Sequence, residues 1–143
     1  MFVSEYMTPK PLVVSTTEGV DRIAELIRVH KIRQVPVVDE SNRLVGIVTD
    51  RDIRTATGYD ADNPLALVAE EIMSPDVVTI TPGAELHEAA ELLHQHSFGA
   101  LPVVVGDHVV GIISTRDLLR FLMELLQENA AHESKHYEPA YPF

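Results

Sequence analysis

Apolar residues recur at Val20, Ile23, Ala24 and Ile27, and again at Leu86, Ala89, Ala90 and Leu93. The i, i+3, i+4, i+7 spacing predicts two helices, each with one buried face. After each helix come two runs rich in β-branched residues, "VPVVD" with "RLVGIVT" and "LPVVV" with "HVVGIIS". Polar turns, "ESN" and "GD", separate the members of each pair, so each pair reads as two strands. Shorter β-rich pieces, "LVVS" and "VVTI", precede the helices. A second helix starts after each strand pair, at "TDRDI" and "STRDL". The predicted order is β-α-β-β-α, twice, in an α+β fold.

The two halves are copies. Shifted by 66, "YMTPKPLVVSTTEGVDRIAELIRVHKIRQVPVV" lies over "IMSPDVVTITPGAELHEAAELLHQHSFGALPVV" without a gap. Met7 falls on Met73, Pro9 on Pro75, His30 on His96 and Pro36 on Pro102. One residue then drops out, and "LVGIVTDRDI" lies over "VVGIISTRDL" at a shift of 65. Such self-similarity marks one supersecondary unit used twice. Each unit is too small to stand alone. Two copies about a pseudo-twofold axis can pack through their sheets. The predicted units are residues 3–57 and 71–130, the second ending in a C-terminal helix. Residues 58–70 form a linker, with Asn63 as N-cap and Pro64 at the first helical position. Residues 131–143 form a polar tail.

The ends of both copies share Gly-apolar-x-Thr/Ser-x-x-Asp. With "YMTP" and "IMSP" at the starts and "RQVPVVD" and "GALPVVV" in mid-unit, the repeat resembles a pair of cystathionine β-synthase (CBS) domains, the Bateman module. The resemblance covers residues 3 to about 122. It implies a regulatory module, not an enzyme. Its ligand would contain adenosine, most often AMP, ADP or ATP, sometimes S-adenosylmethionine. By resemblance, Asp52 and Asp117 accept ribose hydroxyls, a task suited to a carboxylate with two acceptor oxygens. Thr49 and Ser114 sit near ribose and phosphate, and Ile47 and Ile112 flank the adenine. The family pattern completes the Asp52 cleft with Val78, Thr79 and the backbone of Gly99, Ala100 and Leu101. It completes the Asp117 cleft with Leu12, Val13, Gln34 and Val35. Arg33, Arg51 and Arg116 are phosphate candidates, the last two at helix starts where N–H groups favour anions. A homodimer and an effector protein in trans are the partners implied, with no cofactor beyond the regulatory nucleotide.

Another reading needs no ligand. Thr49-x-x-Asp52 and Ser114-x-x-Asp117 also have the form of capping boxes, with Asp in place of Glu or Gln. A ligand-free dimerisation scaffold is therefore the alternative.

Charge narrows the partners. The chain of 143 residues carries −11, but residues 1–54 hold eight Lys or Arg against eight Asp or Glu. Residues 55–143 hold three bases against fourteen acids. That balance is wrong for nucleic acid or an anionic membrane. A small anion would prefer the neighbourhood of Arg28, Lys31, Arg33 and Arg51. No apolar run approaches the 18 or so residues of a membrane span. The start "MFVSEYMTPK" lacks the basic and apolar regions of a signal peptide. Zero cysteines exclude disulfides and thiolate metal sites. A cytoplasmic protein is the expectation.

Two features remain. "HESKH", residues 132–136, has the His-Glu-x-x-His form of zinc proteases, making a tail-borne metallohydrolase the remote alternative. Only seven residues follow it, two of them proline, so a third ligand and a substrate cleft have no source. The helix "RDLLRFLMELLQ" has apolar residues at Leu118, Phe121, Leu122, Leu125 and Leu126. That face needs a partner, either the other repeat or a second chain.

Overall fold

The computed structural model describes residues 1–59 and 66–133. The Asn63–Pro64 capping expectation lies outside them. In chain order the elements are α1 (Val3–Tyr6), β1 (Thr8–Pro9), β2 (Val14–Ser15), α2 (Val20–His30), β3 (Gln34–Val38), β4 (Leu44–Thr49) and α3 (Asp50–Tyr59). The second copy supplies α4 (Ala69–Ile72), α5 (Leu86–His96), β5 (Ala100–Val105), β6 (His108–Ser114) and α6 (Thr115–Glu133). Each predicted strand pair and helix is present. The pieces "LVVS" and "VVTI" shrink to the two-residue β2 and a single bridge at Ile80.

Helix α2 buries Val20, Ile23 and Ile27, and α5 buries Leu86, Ala89 and Leu93, as the periodicity requires. Ala90, expected on the buried face of α5, is exposed, and Leu92 packs against the core instead. Ala90 stands at the margin of the apolar stripe, and a methyl group there loses little by facing water. Both helices end on a left-handed residue, Lys31 at φ 54° and Ser97 at φ 55°, which turns the chain directly into the next strand.

The strands form two three-stranded sheets, ordered β2-β3-β4 and β1-β6-β5. Strand β2 runs parallel to β3, while the β3–β4, β5–β6 and β1–β6 pairings are antiparallel. The start of each copy crosses to the other copy's sheet. Thr8 pairs with Ile112, whereas Val14 pairs with Val37. In the second copy Ser74 pairs with Ile47, whereas Ile80 pairs with Val103. Residues 8–14 and 74–80 thus run between the sheets in opposite senses, which is the expected pseudo-twofold arrangement.

Helices α1 and α4, absent from the sequence expectations, are exchanged in the same way. Val3 N donates to Ala84 O (2.8 Å) and Ser4 N to Pro82 O (3.0 Å). Their repeat mates match, with Ala69 N to Glu18 O (2.8 Å) and Glu70 N to Thr16 O (3.0 Å). Val3 lies in the core with Ile80, Leu101 and Ile113, and Ala69 lies in the core with Ile23, Val35 and Val48. Each fully buried Ile, Leu or Val contributes roughly 1.5–3 kcal/mol. The exchange therefore ties the copies together through both cores. The sheets also touch at their turns, where Arg43 bridges His108 and Leu44 N donates to Asp107 O (2.7 Å).

The exchange explains the glycine of the shared motif. A Cβ at Gly46 would strike the Met73 side chain and lie 3.1 Å from Ser74 O. One at Gly111 would strike Met7 and lie 3.1 Å from Thr8 O. Only glycine lets the crossing strand lie this close. Among the described residues no helix is long and apolar enough to cross a membrane.

Candidate functional site

At the end of β4 the motif folds onto itself. Thr49 N donates to Asp52 Oδ2 (2.9 Å), and Asp52 N donates to Thr49 Oγ1 (3.0 Å). At the end of β6, Ser114 N and Ser114 Oγ both donate to Asp117 Oδ2 (2.8 and 2.9 Å), and Asp117 N donates to Ser114 Oγ (3.2 Å). Both motifs are reciprocal caps of the helices that follow, α3 and α6. Main-chain donors are covered too, with Asp50 N bonded to Arg33 O (2.8 Å) and Thr115 N to Gly99 O (3.0 Å).

Register gathers the other predicted residues. Gln34 stands opposite Thr49 and Val35 opposite Val48, so Arg33, Gln34, Thr49, Arg51 and Asp52 share one sheet end. Ala100 stands opposite Ser114 and Leu101 opposite Ile113, so Gly99, Ala100, Ser114, Arg116 and Asp117 share the other. Ile47 and Ile112 are half-buried opposite Pro36 and Pro102. These hydrogen bonds pair the predicted residues within each copy. Between copies the connection runs through the crossing segments, which carry the half-buried Leu12, Val13, Val78 and Thr79. Val35 and Leu101 have fully buried side chains and offer only backbone. Arg33, Arg51 and Arg116 are exposed and form no ion pair among the described residues.

A cavity of about 530 Å³ opens beside the half-buried Asp52. Arg51, Asp52, Thr55 and Ala56 line it from α3, and Leu67, Glu71 and Ile72 line it from the α4 side. Glu71 Oε1 accepts from Val68 N at 3.0 Å. Asp52 Oδ2 holds the Thr49 N–H, which leaves Oδ1 as an acceptor. A smaller cavity of about 190 Å³ lies between the copies, lined by Leu44, Thr79, Val104 and Asp107 among others. Leu44 begins β4 and Thr49 ends it, so Leu44 of the smaller cavity lies about 16 Å along the strand from the Thr49 motif. Thr79 lines the smaller one.

At the other end the Asp117 carboxylate is covered. Asp117 is 6% exposed, with Arg120 Nη2 at 3.9 Å from its Oδ1. Tyr6 of α1 packs edge-on against Phe121 at 5.1 Å between ring centroids. Arg120 donates to Tyr6 O (3.0 Å), and its guanidinium lies 5.9 Å from the Tyr6 ring centre. The Tyr6 hydroxyl donates to Glu124 Oε2 (3.0 Å). That bond to a carboxylate favours the neutral phenol and raises the Tyr6 pKa above 10.0, with burial adding to it.

Thr55, Ala56, Leu67, Glu71 and Ile72 had no place among the predicted site residues. Their signal was the comparison of copies, in which Thr55 matches Arg120, Ala56 matches Phe121 and Ile72 matches Tyr6. Within "HESKH", α6 ends at Glu133, and His136 lies outside the described residues. Among the described residues no group of three or more His, Cys, Asp or Glu could hold a metal ion.

A model of the CBS domain family matches the chain twice, over residues 3–58 and 68–124. The chain belongs to that family and carries the domain as a pair. It is 35% identical over 119 residues to the CBS domain-containing protein YhcV of Bacillus subtilis, covering 81% of each chain. The structure of CBSX2, a CBS-pair protein from Arabidopsis thaliana, was solved in complex with AMP. It superposes with a TM-score of 0.78 at 28% identity, over 87% of this chain and 98% of that one. The CBS domain pair of protein MJ0100, solved with 5'-methylthioadenosine and S-adenosyl-L-methionine, gives a TM-score of 0.74 at 28% identity. That match covers 87% of this chain and 98% of the MJ0100 pair.

Proposed function

We propose that this CBS pair is a non-enzymatic regulatory module that binds an adenosine-containing ligand, AMP, ADP or ATP, at the Asp52 end. The observation that carries the reading is the half-buried Asp52 on the wall of a 530 Å³ cavity. Asp52 Oδ1 would accept from the ribose hydroxyls. Arg51 and Arg33 would meet phosphate, and Ala56, Leu67 and Ile72 give an apolar wall. The AMP complex of CBSX2 and the adenosine-type ligands of the MJ0100 pair support that ligand class.

The same reading includes a homodimer. Leu118 and Phe121 of α6 pack on the second core, but Leu119, Leu122, Met123, Leu125 and Leu126 are exposed. A second copy of this helix would cover them, and an effector protein would read the liganded pair. A ligand-free scaffold is the second reading. It is favoured by the reciprocal caps, which satisfy Thr49 and Asp52 with no ligand.

A thermal-shift panel separates the two. It would contain AMP, ADP, ATP, cyclic nucleotides, S-adenosylmethionine and NAD. A ligand at 100 times its Kd adds about 2.7 kcal/mol. That corresponds to a rise of several degrees in a domain of this size. No shift with any of them supports the scaffold.

A further inference from the structure

We infer that the pair has one ligand cavity, not two, because Tyr6, Arg120 and Phe121 fill at Asp117 the space that is open at Asp52. The inference rests on the nucleotide reading above. It concerns which of two homologous motifs can act. Residues of α3 and α6 correspond at a shift of 65, and those of α4 and α1 at a shift of 66. Under that correspondence every wall of the Asp52 cavity has a mate, and three mates are larger or more polar. Ala56 becomes Phe121, Thr55 becomes Arg120 and Ile72 becomes Tyr6.

The larger side chains hold one another. The Tyr6 and Phe121 rings meet edge to face at 5.1 Å, a favoured aromatic geometry. The Tyr6 hydroxyl is tied to Glu124 and its carbonyl to Arg120. Arg120 thereby sits 3.9 Å from Asp117 Oδ1, the oxygen that Ser114 leaves free. A ribose would have to displace that cation as well as the rings. The burial agrees, since Asp117 is 6% exposed and Asp52 is half-buried. The copies are thus specialised. One retains an accessible carboxylate, and the other uses its carboxylate to lock α6 to α1.

The test exchanges the plug. Titration calorimetry with the nucleotide found in the thermal-shift panel should give one site per chain in the wild type. The triple variant Tyr6→Ile, Arg120→Thr, Phe121→Ala copies the Asp52 walls and should bind two per chain. Ala56→Phe should weaken binding at least about tenfold, one decade of Kd. It should leave Tm unchanged or higher, because the ring enters open space. Two sites in the wild type overturn the inference. So does a folded triple variant that still binds one. If the wild type binds no adenosine compound, the nucleotide reading fails by itself. The plug is then judged by Ala56→Phe alone, and a Tm drop of several degrees would show that no open cavity exists there, overturning it.

Discussion

Ile47 exchanges two backbone hydrogen bonds with Ser74, at 3.0 Å from Ile47 N to Ser74 O and 2.9 Å in return. The partners belong to different copies of the repeat, and Gly46 is what lets them meet. Gly46→Ala places a methyl group against Met73 and Ser74 O. Overpacking of this kind costs about 1–3 kcal/mol. Gly58→Ala is the control, because nothing lies within 4 Å of its added Cβ. Gly58 lies in the last turn of α3, so that change should be neutral or stabilise by at most about 1 kcal/mol. Urea unfolding of both variants measures the contrast, and equal effects would show that the crossing strand does not need the glycine.

Asp117 should matter to folding more than Asp52 does. Asp117 is buried and accepts from Ser114 N and Ser114 Oγ, with Arg120 nearby. Removing it leaves the part-buried Ser114 donors without that acceptor, a loss of about 1–3 kcal/mol. Asp52 is half-buried, and the N–H it releases lies beside a cavity that water can enter. Denaturant midpoints for Asp117→Ala and Asp52→Ala decide the order. A larger loss from Asp52→Ala would contradict it.

Helix α6 should be a dimer contact. Met123 is 61% exposed and Leu119 59%. Leu119, Leu122, Met123 and Leu126 follow i, i+3, i+4, i+7 spacing along one face of the helix. Light scattering at micromolar concentration should report a dimer. Leu122→Glu with Met123→Glu should give a folded monomer by circular dichroism and scattering. A monomeric wild type at high micromolar concentration removes this part of the proposal.

Tyr6 gives a pH test of the α1–α6 contact. Its folded pKa is raised by the bond to Glu124, so the neutral phenol is the form that folding favours. Its contribution is fully present below the unfolded value of 10.0 and is lost as pH rises through the higher folded value. The stability gap between wild type and Tyr6→Phe should therefore be constant near neutral pH and close above pH 10. A gap that widens at alkaline pH would mean that Tyr6 and Glu124 do not meet.

Sequence pattern carried the elements and the duplication, because burial on one face fixes a period of 3.6 or 2. It also carried both capped motifs, whose spacing is local. The exchange of α1 and α4 was not legible. The two leaders are near copies, so either sheet offers Val3 or Ala69 the same kind of core. The cavity walls were lost for a related reason. Ala56 and Ile72 are ordinary apolar residues until α4 is laid against α3. Phe121 read as one position in an apolar face, although its contact with Tyr6 sets it apart from Leu122 and Leu126.

Asp52 is the residue proposed to hold the ligand. Titration calorimetry of the nucleotide against wild type, Asp52→Ala and Asp117→Ala, each confirmed folded, tests it directly. A hydrogen bond to a charged group contributes about 1.5–3 kcal/mol. Loss of Asp52 should therefore weaken binding by at least about tenfold, since 1.4 kcal/mol is one decade. Asp117→Ala should leave Kd nearly unchanged. Equal weakening by both substitutions would mean two equivalent clefts. No weakening by either would mean that Thr49 and Asp52 only cap a helix, and the claim would fail.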